Sequence, residues 1–195
     1  TGVYASSAIM AALVRRGRSG RGQYIDCSLL DVQVAGLANI ASNYLVAGKE
    51  AQRWGTAHES IIPYQVFRTQ DRPIAIAVAN QKLWESFCRT IEKQEWIKDP
   101  RFESNAKRVE NRVELVARVA EVLAQKSCDE WIELFVDASI PCGPVNNMQR
   151  LFDDPQVLHR EMVVNVPHET IGTLRLTGVP IKYSETPGTI RLPPP

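Results

Sequence analysis

The spacing of hydrophobic positions predicts helices and a short strand in the first part of the chain. Apolar side chains recur at helical spacing from Val3 to Val14, and the polar run RRGRSGRG after them predicts a loop. The alternation in QYIDCSL predicts a half-buried strand, and the segment LLDVQVAGLANIASNYLVAG predicts one long helix that ends at Gly48. Helix, strand and helix in this order are typical of part of an α/β domain.

The pattern changes after Gly48. Residues 49–63 have no period and contain Gly, Ser and Pro, which predicts a long ordered loop or a crossing between domains. Two β-rich segments, YQVFRT and PIAIAVA, predict a hairpin, and further helices are predicted after it. These helices begin at Asn80, at Ser104 or Asn105, and at Ser127, which forms a capping box with Glu130.

One of these helices carries an apolar stripe, and the chain later returns to strands. The stripe predicted to face the core is Val109, Val113, Val116, Ala120 and Leu123. The pattern predicts an irregular turn at IPCGPV, two short helices separated at Pro155 in NMQRLFDDPQVLHRE, and strands in VVNVPHETIGTLRLTGVPIKYS. The layout predicts a small α+β domain at 51–160, inserted between α/β residues at 1–50 and a return to that larger domain at 161–195.

Composition and charge exclude several classes of function. With 23% charged and 44% hydrophobic residues the chain is typical of globular proteins. A net charge of +1 gives no basis for binding nucleic acid or an anionic membrane, and every apolar run is far shorter than the ~20 residues of a membrane-spanning helix. The four cysteines and three histidines have no zinc-ligand spacing, so we expect no metal site and reduced thiols.

The candidate functional residues each have a structural alternative. The arginines of RRGRSGRG fit either a phosphate clamp or a solvated turn, since no aromatic residues accompany them. The loop GTAHES either approaches a ligand closely and offers His58 and Glu59 for acid–base work, or is a surface crossing between domains. Cys142 is either a nucleophile or a packed thiol in a rigid turn. His159 and His168 lie in a short amphipathic segment and a strand-end turn, which gives little support for a site role. No carboxylate pair for glycoside chemistry can be picked out, because Asp153 and Asp154 fit a helix start before Pro155.

The order of several motifs resembles a known family. The chain contains, in sequence, TGVYASSAIMAAL, GRGQYIDCSLLD, GTAHESIIPYQVF, WESFC, IPCGPV and LTGVPIKYS. Together they resemble the C-terminal portion of class III CoA-transferases, the family that includes formyl-CoA transferase and α-methylacyl-CoA racemase. The resemblance extends over the whole chain. It implies the C-terminal part of an open α/β large domain, an inserted α+β small domain, and two interlocked subunits in a homodimer.

The resemblance also implies a chemistry. CoA would move between dicarboxylic acids, from succinyl-CoA to glutarate, through an aspartyl anhydride and an aspartyl thioester. In the family the nucleophilic aspartate precedes the Thr-Gly of the TGVYA stretch, so we expect it upstream of Thr1 and no catalytic residue in this chain; neither Asp26 nor Asp31 replaces it. A CoA thioester is then a substrate, no cofactor is bound permanently, and the location is mitochondrial. This chain alone is expected to be inactive.

One element of the family maps onto this sequence as a substrate loop. Its residues are Gly55, Thr56, Ala57, His58, Glu59 and Ser60. In formyl-CoA transferase a glycine-rich loop closes over the active site here and excludes water. The polar side chains of this sequence predict a less freely flexing loop, and contact with a dicarboxylate through His58 or Ser60. Two alternatives remain open, a non-catalytic binding or assembly module and a segment of an acyl-CoA racemase.

Overall fold

The computed structural model describes residues 1–193, and they form two compact units, Thr1–Gly55 and a second that begins at Thr56. The boundary between these units lies in the aperiodic stretch that follows Gly48. Each unit has its own helices, and only the second has strands. The small domain predicted at 51–160, with a return of the chain to a larger domain at 161–195, stays a prediction.

The first unit consists of α1 (Gly2–Ser19), α2 (Leu29–Gly36) and α3 (Asn39–Ala47). α1 confirms the helix predicted from Val3 to Val14, but it continues through the first arginines of the segment that was predicted to be a loop. Arginine is a good helix former, and Arg16 and Arg18 in the last turn interact favourably with the helix macrodipole. Gly20 ends α1 in the left-handed conformation, with φ of 71°.

Two further predictions for the first unit are wrong. Residues 21–28 form no strand, since no neighbouring strand is described in this unit to complete a sheet. The predicted long helix is broken after Gly36, a residue of low helix propensity, and Ala38 takes a φ of 44°. The predicted end is confirmed, because Gly48 has the left-handed conformation of a helix C-terminus.

No residue of the first unit is buried. Its helices expose large apolar side chains along their whole length, and the most exposed among them are Val3, Leu29, Leu30, Leu45 and Val46. A group of helices is stabilised chiefly by burying an apolar face against another element. The first unit therefore presents an apolar surface of the kind found at protein interfaces.

The second unit is built around a three-stranded antiparallel sheet in the order β1 (Tyr64–Arg68), β2 (Pro73–Ala77) and β3 (Cys142–Pro144). The predicted hairpin is confirmed, with Phe67 opposite Ile74 on the core side. The irregular turn predicted at IPCGPV is wrong, because Cys142–Pro144 pairs with the free edge of β2. The prediction failed because this pairing joins residues far apart in sequence, whereas the hydrophobic pattern reports only on neighbouring residues.

Helices cover one face of this sheet, and a separate hairpin follows. The elements are α4 (Gln81–Thr90), a 3₁₀ turn (Gln94–Ile97), α5 (Asn105–Glu110), α6 (Arg112–Leu123), α7 (Cys128–Asp137), α8 (Met148–Asp153), α9 (Pro155–His159), β4 (Val163–His168) and β5 (Gly172–Thr177). The predicted caps are confirmed at Asn80, Ser104 and Ser127, each of which accepts a backbone N–H from the first turn of its helix. The two short helices that meet at Pro155 and the final strands are confirmed as well.

The core of the second unit is aromatic. Trp84, Phe87 and Phe135 are fully buried and stack on one another, with ring centroids 6.1 and 5.7 Å apart. The predicted stripe is only partly right, since Val113 is 85% exposed and the buried face of α6 is Leu115, Val119, Val122 and Leu123. The helix is interrupted at Asn111, which shifts the phase between α5 and α6. None of the helices formed by residues 1–193 is long and apolar enough to cross a membrane.

Candidate functional site

The predicted substrate loop lies along the edge of β1. The Thr56 hydroxyl accepts the N–H of Val66 at 3.2 Å, and the N–H of His58 donates to the carbonyl of Tyr64 at 2.8 Å. These bonds satisfy groups on the strand edge that does not face β2. Residues 56–58 are therefore hydrogen-bonded along the edge of the sheet and do not cross the surface freely. Gly55, the last residue of the first unit, has a left-handed φ of 62° that favours glycine.

Three polar side chains from α5 and α6 bind the backbone of this loop. Asn105 donates to the carbonyl of Ser60 at 2.7 Å and accepts the N–H of Ile62 at 3.3 Å. Arg108 donates through Nε to the carbonyl of Ile62 at 2.9 Å. The guanidinium of Arg112 donates to the carbonyl of His58 at 3.1 Å and also to that of Glu59. The loop is thus held at almost every peptide from His58 to Ile62.

Arg108 is the most buried of these anchors. It is 1% exposed, and its Nη1 donates to the carbonyl of Phe102 at 2.9 Å and to Oε1 of Gln81 at 3.2 Å. The guanidinium stacks over the ring of Trp84, 4.7 Å from its centroid. Burial lowers the pKa of Arg108 to about 10, so the side chain is still charged at neutral pH. Carbonyl oxygens and an aromatic face compensate this buried cation.

Glu59 is also buried, at 7% exposure, and belongs to the same anchor region. Burial lowers the pKa of Arg112, and the negative charge of Glu59 partly offsets that effect. The carboxylate of Glu59 therefore balances the charge of Arg112 inside the unit. His58 and Glu59 do not act as an acid–base pair in this arrangement, because the His58 ring interacts with other residues.

The ring of His58 is fixed by two neighbours. Its Nδ1 accepts the N–H of Ser60 at 3.1 Å, and the ring stacks on Tyr64 with centroids 5.3 Å apart and an interplanar angle of 23°. Because Nδ1 is an acceptor, the neutral imidazole carries its proton on Nε2. His58 thus presents a hydrogen-bond donor with a defined tautomer.

A cavity of about 360 Å³ lies beside the loop, on the sheet. It is lined by Thr56, Tyr64, Gln65, Val66, Ala75, Ile76, Ala77, Pro141, Cys142 and Gly143. Burial raises the pKa of the Cys142 thiol, and its side chain packs against the core. A thiol with a raised pKa is a poor nucleophile, so the structure favours a packed thiol at this position.

The other candidates from the sequence have local structural roles or remain untested. His168 accepts the N–H of Thr170 at 3.2 Å in the turn between β4 and β5. Asp154 caps α9, as its position before Pro155 predicts. The arginines of RRGRSGRG are exposed, and the phosphate clamp stays a hypothesis. Within residues 1–193, no group of three or more His, Cys, Asp or Glu residues is arranged to hold a metal ion.

The residues that anchor the loop were not predicted from the sequence. Asn105, Arg108 and Arg112 bind backbone groups 43 to 54 residues away, and no local motif announces such contacts. One signal in the sequence could have indicated a buried anchor: Arg108 lies directly before Val109, the first residue of the apolar stripe. A charged residue at a buried helix position generally has a specific partner.

Comparison with known proteins identifies the family. The model of CoA-transferase family III matches residues 1–195, the whole chain. The human succinyl-CoA:glutarate CoA-transferase is 41% identical over 195 residues, which are 100% of this chain and 44% of the human protein. The succinate–glutarate CoA-transferase of Agrobacterium fabrum is 35% identical over 195 residues, covering 100% of this chain and 49% of that protein.

A solved structure has a similar fold. The crystal structure of a CAIB/BAIF family protein from Brucella suis superimposes with a TM-score of 0.71 at 35% identity, covering 96% of this chain and 48% of that one. The chain thus spans about half the length of the relatives it matches. The fold class predicted from the sequence is confirmed. On a family match over its full length, this chain belongs to CoA-transferase family III.

Proposed function

We propose that the protein to which this chain belongs transfers CoA between dicarboxylic acids, with succinyl-CoA as donor and glutarate as acceptor. The observation that carries the proposal is the full-length match of this chain to relatives named for that reaction. The CoA thioester is a substrate and leaves in every cycle. No permanently bound cofactor is required, because each step exchanges one acyl leaving group for another.

The proposed reaction is a ping-pong exchange through an aspartate upstream of Thr1. Its carboxylate attacks the thioester carbonyl of succinyl-CoA, and the C–S bond breaks. CoA departs as a thiolate, and the aspartate and the succinyl group are joined in a mixed anhydride. The thiolate then attacks the aspartyl carbonyl of the anhydride and releases succinate, which gives an aspartyl thioester. Glutarate attacks this thioester, CoA leaves again, and the thiolate attacks the glutaryl carbonyl to give glutaryl-CoA and free aspartate.

The loop from Gly55 to Ser60 is proposed as a wall of the substrate site. An acyl anhydride reacts readily with water, so the site must exclude solvent while the anhydride exists. The bonds from Asn105, Arg108 and Arg112 support this role, since they give the loop one defined conformation. Polar side chains on the same loop, His58 and Ser60, are available to contact a dicarboxylate.

The proposed assembly is an interlocked homodimer. The exposed apolar residues of Thr1–Gly55 support it, since a surface of this kind requires a covering partner or a further part of the chain. Sedimentation of the full-length enzyme is expected to give a dimer that does not dissociate on dilution. A monomer at micromolar concentration would contradict the proposed assembly.

The function is tested with the full-length enzyme, succinyl-CoA and glutarate. Glutaryl-CoA and succinate are expected to form in equal amounts, with the parallel double-reciprocal lines of a ping-pong mechanism, while residues 1–195 alone are expected to be inactive. Exchange of an α-hydrogen with deuterated solvent, without CoA transfer, would indicate a racemase instead. Binding of acyl-CoA without turnover would indicate a binding module. A mitochondrial location is proposed, and cell fractionation tests it.

A further inference from the structure

We propose that His58 determines the preference for dicarboxylates, because its Nε2–H binds the second carboxylate of the acyl substrate at the cavity beside Thr56 and Tyr64. This inference rests on the proposed CoA-transferase function. It makes His58 a substrate-binding residue with no part in proton transfer.

The first support is the fixed orientation of the ring. Nδ1 accepts the N–H of Ser60 at 3.1 Å, so the proton of the neutral ring is on Nε2, and no residue of 1–193 accepts a hydrogen bond from this Nε2–H. Stacking on Tyr64, with centroids 5.3 Å apart, limits rotation of the ring about χ2. A donor that is already oriented loses little conformational entropy when it binds a ligand.

The second support is the fixed backbone under the ring. Arg112 binds the carbonyl of His58 itself at 3.1 Å, and the N–H of His58 binds Tyr64 at 2.8 Å. Both backbone polar groups of His58 are therefore used within the protein. The fold therefore holds the imidazole beside Tyr64, which lines the cavity, and this placement does not depend on a ligand.

The third support is the chemistry around the cavity. Thr56 accepts a hydrogen bond from Val66, which leaves its hydroxyl proton free to donate, and the exposed Tyr64 carries a phenolic O–H. Thr56 and Tyr64 line the cavity, and the His58 ring lies next to this lining because it stacks on Tyr64, so its Nε2–H adds a third neutral donor beside the cavity. An ionised carboxylate accepts at both oxygens and offers about four lone-pair sites. These donors therefore bind the carboxylate end of a dicarboxylate more favourably than the methyl end of a monocarboxylate.

The fourth support is size. A cavity of about 360 Å³ is near the lower end of the ~300–1,000 Å³ range of small-molecule sites. It admits the acyl part of the substrate but not an entire CoA thioester. The aliphatic lining by Val66, Ala75 and Ala77 suits the methylene chain of a short dicarboxylate.

The test uses three variants of the full-length enzyme with two acceptors of equal chain length, glutarate and pentanoate. His58→Phe keeps the ring on Tyr64 and removes the donor. It is expected to lower kcat/KM for glutarate about tenfold, mainly through KM, since a hydrogen bond to a charged acceptor is lost. The value for pentanoate is expected to change less than twofold. His58→Gln, whose amide N–H replaces Nε2–H, is expected to restore most of the glutarate activity.

Controls separate binding from folding. His168 makes the same local contact as His58, with Nδ1 accepting an N–H two residues later, but lies in the β4–β5 turn. His168→Phe is expected to leave kcat/KM for glutarate and for pentanoate unchanged. If His58→Phe does not fold, His58→Asn carries the comparison, because its amide oxygen accepts from Ser60 while the Nε2 donor is absent.

The outcomes are distinguishable. If His58→Phe lowers kcat/KM equally for glutarate and pentanoate, or lowers neither, the inference is overturned while the CoA-transferase function stands. Wild-type enzyme that forms no glutaryl-CoA would overturn the proposed function and this inference together. A selective loss for glutarate that His58→Gln restores would establish His58 as the residue that binds the second carboxylate.

Discussion

Replacement of Arg108 by methionine tests whether the loop is held by the buried guanidinium. Arg108 is 1% exposed and makes hydrogen bonds to two backbone carbonyls, of Ile62 and Phe102, both at 2.9 Å. Methionine has a similar length and fills most of the same volume. The substitution therefore removes the donors and the charge while leaving the apolar packing on Trp84 largely in place.

The expected loss of stability follows from the groups left behind. Two buried carbonyls without a donor cost about 1–3 kcal/mol each. The lost stacking of the cation on Trp84 adds about 1–2 kcal/mol, and the removal of a buried charge returns several kcal/mol. The net destabilisation is expected to be about 2–4 kcal/mol, with Ile62 and the loop before it affected most.

The assay is urea unfolding of the full-length enzyme followed by tryptophan fluorescence, with amide hydrogen exchange of the segment 56–63. Arg89→Met is the matched control, because the Arg89 side chain is 59% exposed and forms an ion pair with Glu85 on the same helix. An exposed pair of this kind contributes less than about 1 kcal/mol. If Arg108→Met unfolds at the same urea concentration as Arg89→Met and exchange in 56–63 is unchanged, the proposed anchoring is incorrect.

Three further predictions concern the second unit. Ser127→Ala removes the capping box with Glu130 and is expected to cost about 1 kcal/mol, measurable as a lower urea midpoint. The N–H of Cys128 holds the pKa of Asp71 at about 2, below its unfolded value, so Asp71 stabilises the fold above about pH 4 and this contribution is lost as the pH falls toward 2. Asp71→Asn should therefore flatten the acid limb of the stability profile, and an unchanged limb would contradict this role. Burial raises the pKa of Cys88 to about 12, so a thiol reagent at pH 8 is expected to modify Cys88 only after unfolding.

The sequence predicts the local features of this fold better than the distant ones. Asn80, Ser104 and Ser127 were identified correctly because a helix cap depends on residues within one turn. The strand at Cys142–Pro144 was missed because it is defined by β2, more than sixty residues earlier in the chain. The stripe on α6 was only partly right because one residue, Asn111, interrupts the helix and leaves Val113 exposed.

In the candidate site, too, contacts between residues far apart in the chain were not predicted from the sequence. The loop was proposed from motifs that resemble a family, and its role as a substrate loop stays a prediction. Its anchors were not identified, because Arg112 and Asn105 look like ordinary surface residues of a helix until the loop is placed beside them. Contacts between residues about 45 to 54 apart have no periodic signature in a single sequence.

These anchors bear on how the loop can work. To leave the sheet, residues 58–62 would have to give up the hydrogen bonds that Asn105, Arg108 and Arg112 make to five of their backbone groups. At a net value of about 1 kcal/mol each, opening costs about 5 kcal/mol, and the open form would be populated at about one part in several thousand. A loop of this kind acts as a fixed wall and is a poor gate. Under the proposed function, entry of substrate and exclusion of water then depend on other elements of the enzyme, and the fixed loop holds the donor that the proposal assigns to His58.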